Sequence, residues 1–491
     1  MHAEPHETNA FRDSELPELA PISTSERINT LDMLRGFALI GILMMNIEWF
    51  NRAISEGLTL DYSLTGADWV ASWSVKLFVE GKFYKLFSLL FGMGFAVMLL
   101  RAKDTERPFG AWFIRRMGFL YLFGICHLIF LWEGDILNSY AIGGLFLLAW
   151  IYITRLKLMR FFSGYTAFLR MGIVITFLPI FIGIGLSLYF GNVRSMDVIT
   201  DIYEQNFEAR ARAEIITKDT ELSEPLIKFA EALESGEEEE KDIDEDSLEQ
   251  QDLIEYKAEQ YFIEQYLKDK DIANERAAFT QDSYWVATKF RFKRALFQMP
   301  ISLITGLLVF FPLFLIGYWF VASGVIREPR KHLLLFKTMA WIGLPLGLFF
   351  SAGGLLIIVH PVTAHADQIN IAANFIFNAS QYLVTAGYLG VFVLICLTAT
   401  GHRLFSWMAP MGRMALTNYI MNSVVLTTIF YGYAGGMFSE IGRAKQLGMV
   451  FGIIATQALL SFLWLKLFRF GPLEWLWRSL SYWKIQPILR Q

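Results

Sequence analysis

The chain has 491 residues, of which 54% are hydrophobic, 16% aromatic and only 18% charged, below the roughly 25% charged of an ordinary soluble domain. Its net charge of −4 hides a division: residues 197–282 hold 27 acids against 9 Lys/Arg, a local −18, and the remainder carries +14. No basic face with stacking aromatics is visible, which excludes a nucleic-acid binder; the two cysteines, Cys126 and Cys396, both sit in apolar runs, which weighs against a disulfide framework or a zinc site.

In chain order, residues 1–26 are polar and acidic and lack the basic and apolar regions of a signal peptide, so they read as a cytoplasmic tail. Apolar runs then follow at about 36–52, 83–100, 115–132, 136–154, 171–190, 300–322, 338–359, 381–399, 415–432 and 447–467. Each is long enough as a helix, at about 1.5 Å per residue, to cross a hydrocarbon core. Helices are expected because an open strand would leave backbone groups unpaired in lipid. The expected fold is therefore an all-α integral membrane protein of about ten transmembrane helices. Five lie in an N-terminal membrane region, 27–190, and five in a C-terminal one, 300–470, with a cytoplasmic tail at 471–491.

The basic residues give this count an orientation. Arg27 and Arg35, then Arg101, Lys103, Arg107, Arg115 and Arg116, then Arg155, Lys157, Arg160 and Arg170 fall on one side. So do Arg327, Arg330, Lys331 and Lys337, then His402, Arg403 and Arg413, and finally Lys466, Arg469 and Arg478. By the positive-inside rule that side is cytoplasmic, and both termini with it. The opposite side holds 53–82, the turn Trp132–Asp135, 360–380 and 433–446. It also holds the long acidic insertion 191–299, whose Glu, Lys, Ala and Gln content predicts partial helix. Its acidic run, Glu237–Glu240 with Asp242, Asp244, Glu245 and Asp246, reads as a solvated bend, with a gate over an extracytoplasmic site as the sharper alternative.

Polar side chains inside lipid are costly, so each needs a reason. Arg116 and His127 lie 11 residues apart on one helix face, about 16 Å along the axis. An arginine at the inner surface can hold a phosphate. A histidine deeper in can take a proton from an attacking hydroxyl or amine. An interfacial anchor plus a helix-bonded histidine is the plainer alternative. Arg35 and Asn46 repeat the spacing on the first span, and Asp32 and Arg35 can pair at i,i+3. In the outward turn, Glu133 or Asp135 can orient His127 or bind an acceptor, while Asp135 also suits a helix N-cap. Arg413, Thr417, Asn418 and Asn422 gather near the ninth span, either as a site or as glue between helices. His360 and His365 have no further ligands nearby to make a metal site.

Four motifs carry a resemblance. Arg27-Ile-Asn-Thr-Leu-Asp-Met-Leu-Arg-Gly-Phe-Ala38, Gly134-Asp-Ile-Leu-Asn-Ser-Tyr-Ala141, Gly412-Arg-Met-Ala-Leu-Thr-Asn-Tyr419 and Gly471-Pro-Leu-Glu-Trp-Leu-Trp-Arg478 resemble, in order and over nearly the whole chain, the YeiB-like membrane proteins. That family is placed within a transmembrane acyltransferase superfamily, which includes heparan-alpha-glucosaminide N-acetyltransferase and bacterial acyltransferases that decorate surface sugars. In the latter an Arg and a His separated by ten residues are associated with activity, and Arg116 and His127 match that spacing. The resemblance implies a bacterial cytoplasmic membrane. It also implies acyl-CoA, acetyl-CoA in the first instance, entering from the cytoplasm, and an acceptor such as a glycan or amine on the far side. Arg35, Asp32, Arg116, Arg413 and Asn418 would hold the donor; His127 would act as base with Glu133 or Asp135, and Asn46 would hydrogen-bond the oxyanion. The acidic insertion has no counterpart in this pattern. The rival readings are a transporter or exporter of a small molecule, and a scaffold whose acidic loop binds a partner. The lipid bilayer is the expected surrounding, and the sequence leaves homo-oligomerisation open.

Overall fold

The structure is a computed structural model that describes residues 29–56, 64–104, 109–154, 156, 164–190, 196–239, 247–360 and 367–490. The expected tail 1–26, Arg107, Arg155, Lys157, Arg160, the acidic stretch 240–246 and His365 lie outside the described residues. The α-helices are, in chain order, α1 (Asn29–Asn51), α2 (Gly66–Ser74), α3 (Phe83–Asp104), α4 (Phe109–Phe130), α5 (Leu137–Ile153) and α6 (Tyr165–Phe190). Then come α7 (Met196–Lys218), α8 (Thr220–Ser235), α9 (Gln250–Thr280), α10 (Tyr284–Thr305), α11 (Phe311–Ala322), α12 (Leu333–Thr338) and α13 (Leu344–Val359). The last are α14 (Asp367–Cys396), α15 (Ala399–Phe405), α16 (Met408–Arg413), α17 (Ala415–Phe430), α18 (Arg443–Leu467) and α19 (Pro472–Tyr482). The described β structure is a single antiparallel bridge, Phe468 to Leu489.

Among the described residues, eight helical segments are long and apolar enough to cross a membrane: 29–51, 66–102, 109–130, 165–186, 284–322, 329–359, 369–396 and 443–467. Two more apolar helices, α5 and α17, are shorter, with 17 and 16 residues. Outward-facing side chains such as Phe181, Phe297, Phe349 and Phe451 are exposed and apolar, as a lipid-facing surface requires. Three of the long segments contain a π-helical turn, and two of these turns, Gly306–Phe310 and Met339–Gly343, are followed by a proline, Pro312 or Pro345. Proline has no N–H for the regular ladder, and the widened turn absorbs the break without ending the helix.

Several boundaries differ from those expected. The stretch 53–82, read as an outer loop, contains α2 and a π-helical continuation at Val75–Val79. The helix expected to begin near residue 300 begins at Tyr284, so the insertion ends earlier. Of the segment 471–491, read as a tail, the described residues 471–490 are docked: α19 lies against α4, where Trp477 Nε1 donates to the Arg116 carbonyl at 2.8 Å. The Arg490 and Arg469 amides then close a short pairing with Leu467 and Ile488, at 2.9 and 2.8 Å.

The helices of the insertion, α7 to α9, have a small core of their own, with Ala209, Ala213, Ile216, Ala230, Ala258 and Phe262. The end of α9 returns to the membrane region, where buried Glu275 accepts from the Ile54 amide at 2.5 Å and from Ser55. Arg276 pairs with Glu56 at 2.9 Å.

At the other end of the bundle, α1 and α16 touch backbone to backbone. A Cβ at Gly412 would overlap the Asp32 carbonyl, and one at Gly36 would overlap that of Met408. Only glycine permits this approach. Gly412→Ala is therefore expected to cost about 1–3 kcal/mol by overpacking, seen as a lower melting temperature in detergent; an unchanged melting temperature would contradict the packing described.

Candidate functional site

The two ends of α4 identify the two ends of the bundle. Arg115 and Arg116 face α19, through Arg115 Nε to the Ser481 carbonyl at 3.3 Å and the Trp477 bond above. Ile129 and Phe130 face α10, whose Arg291 and Tyr284 donate to their carbonyls at 3.0 and 2.6 Å. A cavity of about 240 Å³ lies between α1, α3, α4, α5, α16, α17 and α19.

The cavity wall changes character along each helix. Near α19 it is lined by Asp32 and Arg35 from α1, Arg116 from α4, Arg413 from α16, and Glu474, Trp477 and Arg478 from α19. Further along α1 and α4 come Leu39, Ile42 and Leu120, with Phe87 and Phe91 from α3. Ile136, Leu137, Tyr140 and Tyr419 complete the lining.

The basic end is built from few local interactions. Asp32 and Arg35, on successive turns, form the expected pair at 2.8 Å. The Arg116 guanidinium lies 3.5 Å over the Trp477 ring, a stacking that suits its planar, weakly hydrated cation. Arg116 is buried, and its Nε has no hydrogen-bond partner among the described residues. A buried charged donor without a partner is costly, so an anion entering here would relieve that cost. Arg413 donates to the Arg469 carbonyl at 3.5 Å. Glu474 accepts from the Leu416 and Thr417 amides, at 2.7 and 3.0 Å, and from the Thr417 hydroxyl at 2.6 Å. It thus satisfies the free amides at the start of α17 and fixes α19 against it.

Behind Tyr419 lies a chain of buried polar groups. His127 Nδ1 is 2.9 Å from Asp135 Oδ1, and His127 Nε2 is 2.7 Å from Ser423 Oγ. Asp135 Oδ2 accepts the Asn138 amide at 3.1 Å, and its Oδ1 lies 3.5 Å from the Tyr419 hydroxyl. Asp135 therefore holds an amide at the start of α5 and also lies beside the histidine ring, at the place of the two roles the sequence left open. The side chains of His127 and Asp135 are 1% and 0% exposed. The cavity ends on Tyr419, on the near side of this group.

Three of the expected site residues lie elsewhere. Glu133 does not face His127. It is buried toward the insertion, 3.6 Å from Arg294, which also pairs with Glu275 at 3.0 Å and Asp271 at 2.8 Å. In a turn this tight, consecutive carboxylates diverge, and Asp135 is the one that reaches α4. Asn418 does not line the cavity: its amide donates to the Met411 carbonyl and to Ser461 Oγ, both at 3.1 Å, so it ties α17 to α16 and α18. Asn46 is half-buried on α1 and is not part of the cavity lining. Conversely, Tyr140, Tyr419, Ser423, Glu474, Trp477 and Arg478 were not singled out as site residues. The Gly471–Arg478 motif was the one signal that pointed to the last three.

The Glu133 carboxyl responds to pH. Burial first, then the adjacent Glu275, push it up to about 8, against the pull of Arg294 and Arg291. The folded protein therefore holds a proton that the unfolded chain releases from the ordinary carboxyl range upward. The contribution is present at acid pH and is lost as pH rises through about 8. Melting temperature is expected to fall across that window in the wild type and to be flatter in Glu133→Gln. Parallel curves for the two proteins would refute the assignment.

Comparison with known proteins gives a family likeness. Residues 320–484 match the family described as "Protein of unknown function (DUF418)". The chain is 28% identical to "Uncharacterized protein YxaH" of Bacillus subtilis (strain 168), over 97% of this chain and 99% of that protein. It is 27% identical to "Uncharacterized 39.9 kDa protein in amylase 3'region" of Bacillus acidopullulyticus, over 96% and 98%. It is 25% identical to "Uncharacterized protein YeiB" of Escherichia coli (strain K12), over 93% and 96%. These likenesses support a YeiB-like family. No solved structure matches.

Proposed function

We propose that the protein is a membrane acyltransferase that takes an acyl group from cytoplasmic acyl-CoA, acetyl-CoA in the first instance, and passes it to an acceptor such as a glycan or amine on the opposite face. The observation that carries this reading is the polarity of the cavity. Arginines from four helices gather at one end, an apolar shaft follows, and a buried histidine–carboxylate pair lies beyond its far wall. Coenzyme A has the same order of parts: phosphates, then a long flexible arm, then the reactive thioester. The phosphates would meet Arg35, Arg116, Arg413 and Arg478. The arm would lie along Leu39, Ile42, Phe87 and Leu120, and the thioester would approach Tyr419. The rise from Arg116 to His127, about 16 Å, suits such an arm. His127, held by Asp135, would remove the proton from the attacking group.

In this reading α5 and α17 also span the bilayer, which makes ten spans. Both termini are cytoplasmic, in a bacterial inner membrane, and the acidic insertion caps the outer end. The test is titration of acetyl-CoA into purified protein in lipid nanodiscs. Saturable binding that free coenzyme A competes for is the expected result. Well-folded protein that binds no acyl-CoA would transfer the reading to the transporter, which needs no thioester.

A further inference from the structure

The hydroxyl of Ser423 has a partner that its neighbours on the helix lack. Thr427 and Thr428, a turn further along α17, each turn back to the Val424 carbonyl, at 3.2 and 2.7 Å, as helical hydroxyls commonly do. Ser423 Oγ instead meets His127 Nε2 at 2.7 Å, and both side chains are buried. The roles along the chain of contacts follow from Asp135. Asp135 Oδ1 lies 2.9 Å from His127 Nδ1 without hydrogen-bond alignment; an Nδ1–H turned toward that buried carboxylate leaves Nε2 as the acceptor for the Ser423 O–H. A hydroxyl donating to a histidine that is oriented by a buried carboxylate is the arrangement that activates a serine as a nucleophile. The residues come from α4, the α4–α5 turn and α17, so the fold, not a local motif, brings them together.

We infer that Ser423 is the acyl carrier of this site, and that transfer proceeds through a Ser423 ester. The inference rests on the acyl-transfer reading above and goes beyond it, since that reading requires only a base. In the first step Ser423 Oγ forms a bond to the thioester carbonyl carbon, its proton passes to His127 Nε2, and the C–S bond breaks. The coenzyme A thiolate leaves and takes the proton from the imidazolium. In the second step an N–H or O–H of the acceptor loses its proton to His127 and attacks the ester. The Ser423–acyl bond breaks, and Ser423 regains the proton. Atoms and electrons balance without a further reactant. Ser423 lies one turn beyond Tyr419 on α17, about 6 Å along the axis. The acyl group must therefore pass the Tyr419 ring, which sits 5.2 Å from that of His127. That close packing restricts the carrier to short acyl groups.

The test incubates full-length protein in nanodiscs with acetyl-, propionyl- and succinyl-CoA. Coenzyme A thiol release is followed, and covalent acyl adducts are located by intact mass and peptide mapping. The expected result is an acyl adduct on the peptide containing Ser423. Ser423→Ala should lose the adduct and slow thiol release by on the order of 10³-fold or more, while still binding a non-cleavable dethia-acetyl-CoA, which shows that it is folded. Ser423→Cys should carry the acyl group as a thioester that neutral hydroxylamine removes, unlike the wild-type ester. Thiol release at the wild-type rate by Ser423→Ala, or an adduct only on His127, would overturn the inference and leave the acyl-transfer reading standing. Wild-type protein that neither binds nor consumes any of the three thioesters would overturn both.

Discussion

Replacing His127 by alanine is expected to lower acyl transfer by roughly 10²–10⁴-fold while acyl-CoA binding stays close to wild type. The separation follows from geometry. His127 lies outside the cavity lining, behind Tyr419, and none of the basic residues at the α19 end touches it. Its two ring nitrogens lie 2.9 Å from Asp135 and 2.7 Å from Ser423, so its removal would disable the proposed proton transfer without disturbing the basic end. Asp135→Asn sharpens the test. Asparagine still accepts the Asn138 amide and preserves the start of α5, but it no longer fixes the hydrogen on Nδ1. A variant that melts like wild type yet turns over far more slowly is the expected result, measured as thiol release in nanodiscs. Full activity in His127→Ala would remove the histidine from the mechanism.

Replacing Arg116 by alanine should act on the complementary parameter. Hydrogen bonds to charged groups contribute about 1.5–3 kcal/mol, so the dissociation constant for acetyl-CoA should rise by roughly 10–100-fold, with little change in turnover at saturation. Arg116→Lys should not restore binding. An ammonium cannot reproduce the flat stack on Trp477 or present a fork of donors to phosphate. Because the basic end is partly open to solvent, wild-type affinity should fall as salt is raised, and the Arg116→Ala affinity less so. An Arg116→Ala protein that binds as tightly as wild type would place the donor phosphates elsewhere.

That the ten apolar runs are helices was legible because such a run has few alternatives: in lipid, only a helix satisfies its own backbone. The Asp32–Arg35 pair was legible too, since three residues along a helix is a contact distance that needs no tertiary information. The rest depended on long-range packing. Nothing local distinguishes Ser423 from the other hydroxyls of α17; it becomes notable only when α4 brings His127 within 2.7 Å. Glu133 and Asp135 are equivalent on paper, and only the direction of the turn sends one to the histidine and the other to Arg294. The helical content of 66–79 was hidden for a different reason. Its polar and aromatic mixture is typical of an interfacial segment, and no sharp apolar boundary marks it.

The lodging of α19 over the arginines has a consequence for how the protein is made. Ribosomes deliver the chain from its N-terminus, and domains generally acquire structure in that order. Here α1 supplies one wall of the cavity at the outset, while Glu474, Trp477 and Arg478 are synthesised after every other residue that lines it. Until they emerge, Arg116 lacks its stacking partner and α17 lacks the carboxylate that satisfies its first amides. A nascent chain that has not yet exposed α19, or one clipped before it, would thus hold its earlier helices without a complete basic end. Emergence of α19, not insertion of the earlier helices, would be the moment at which the basic end is complete.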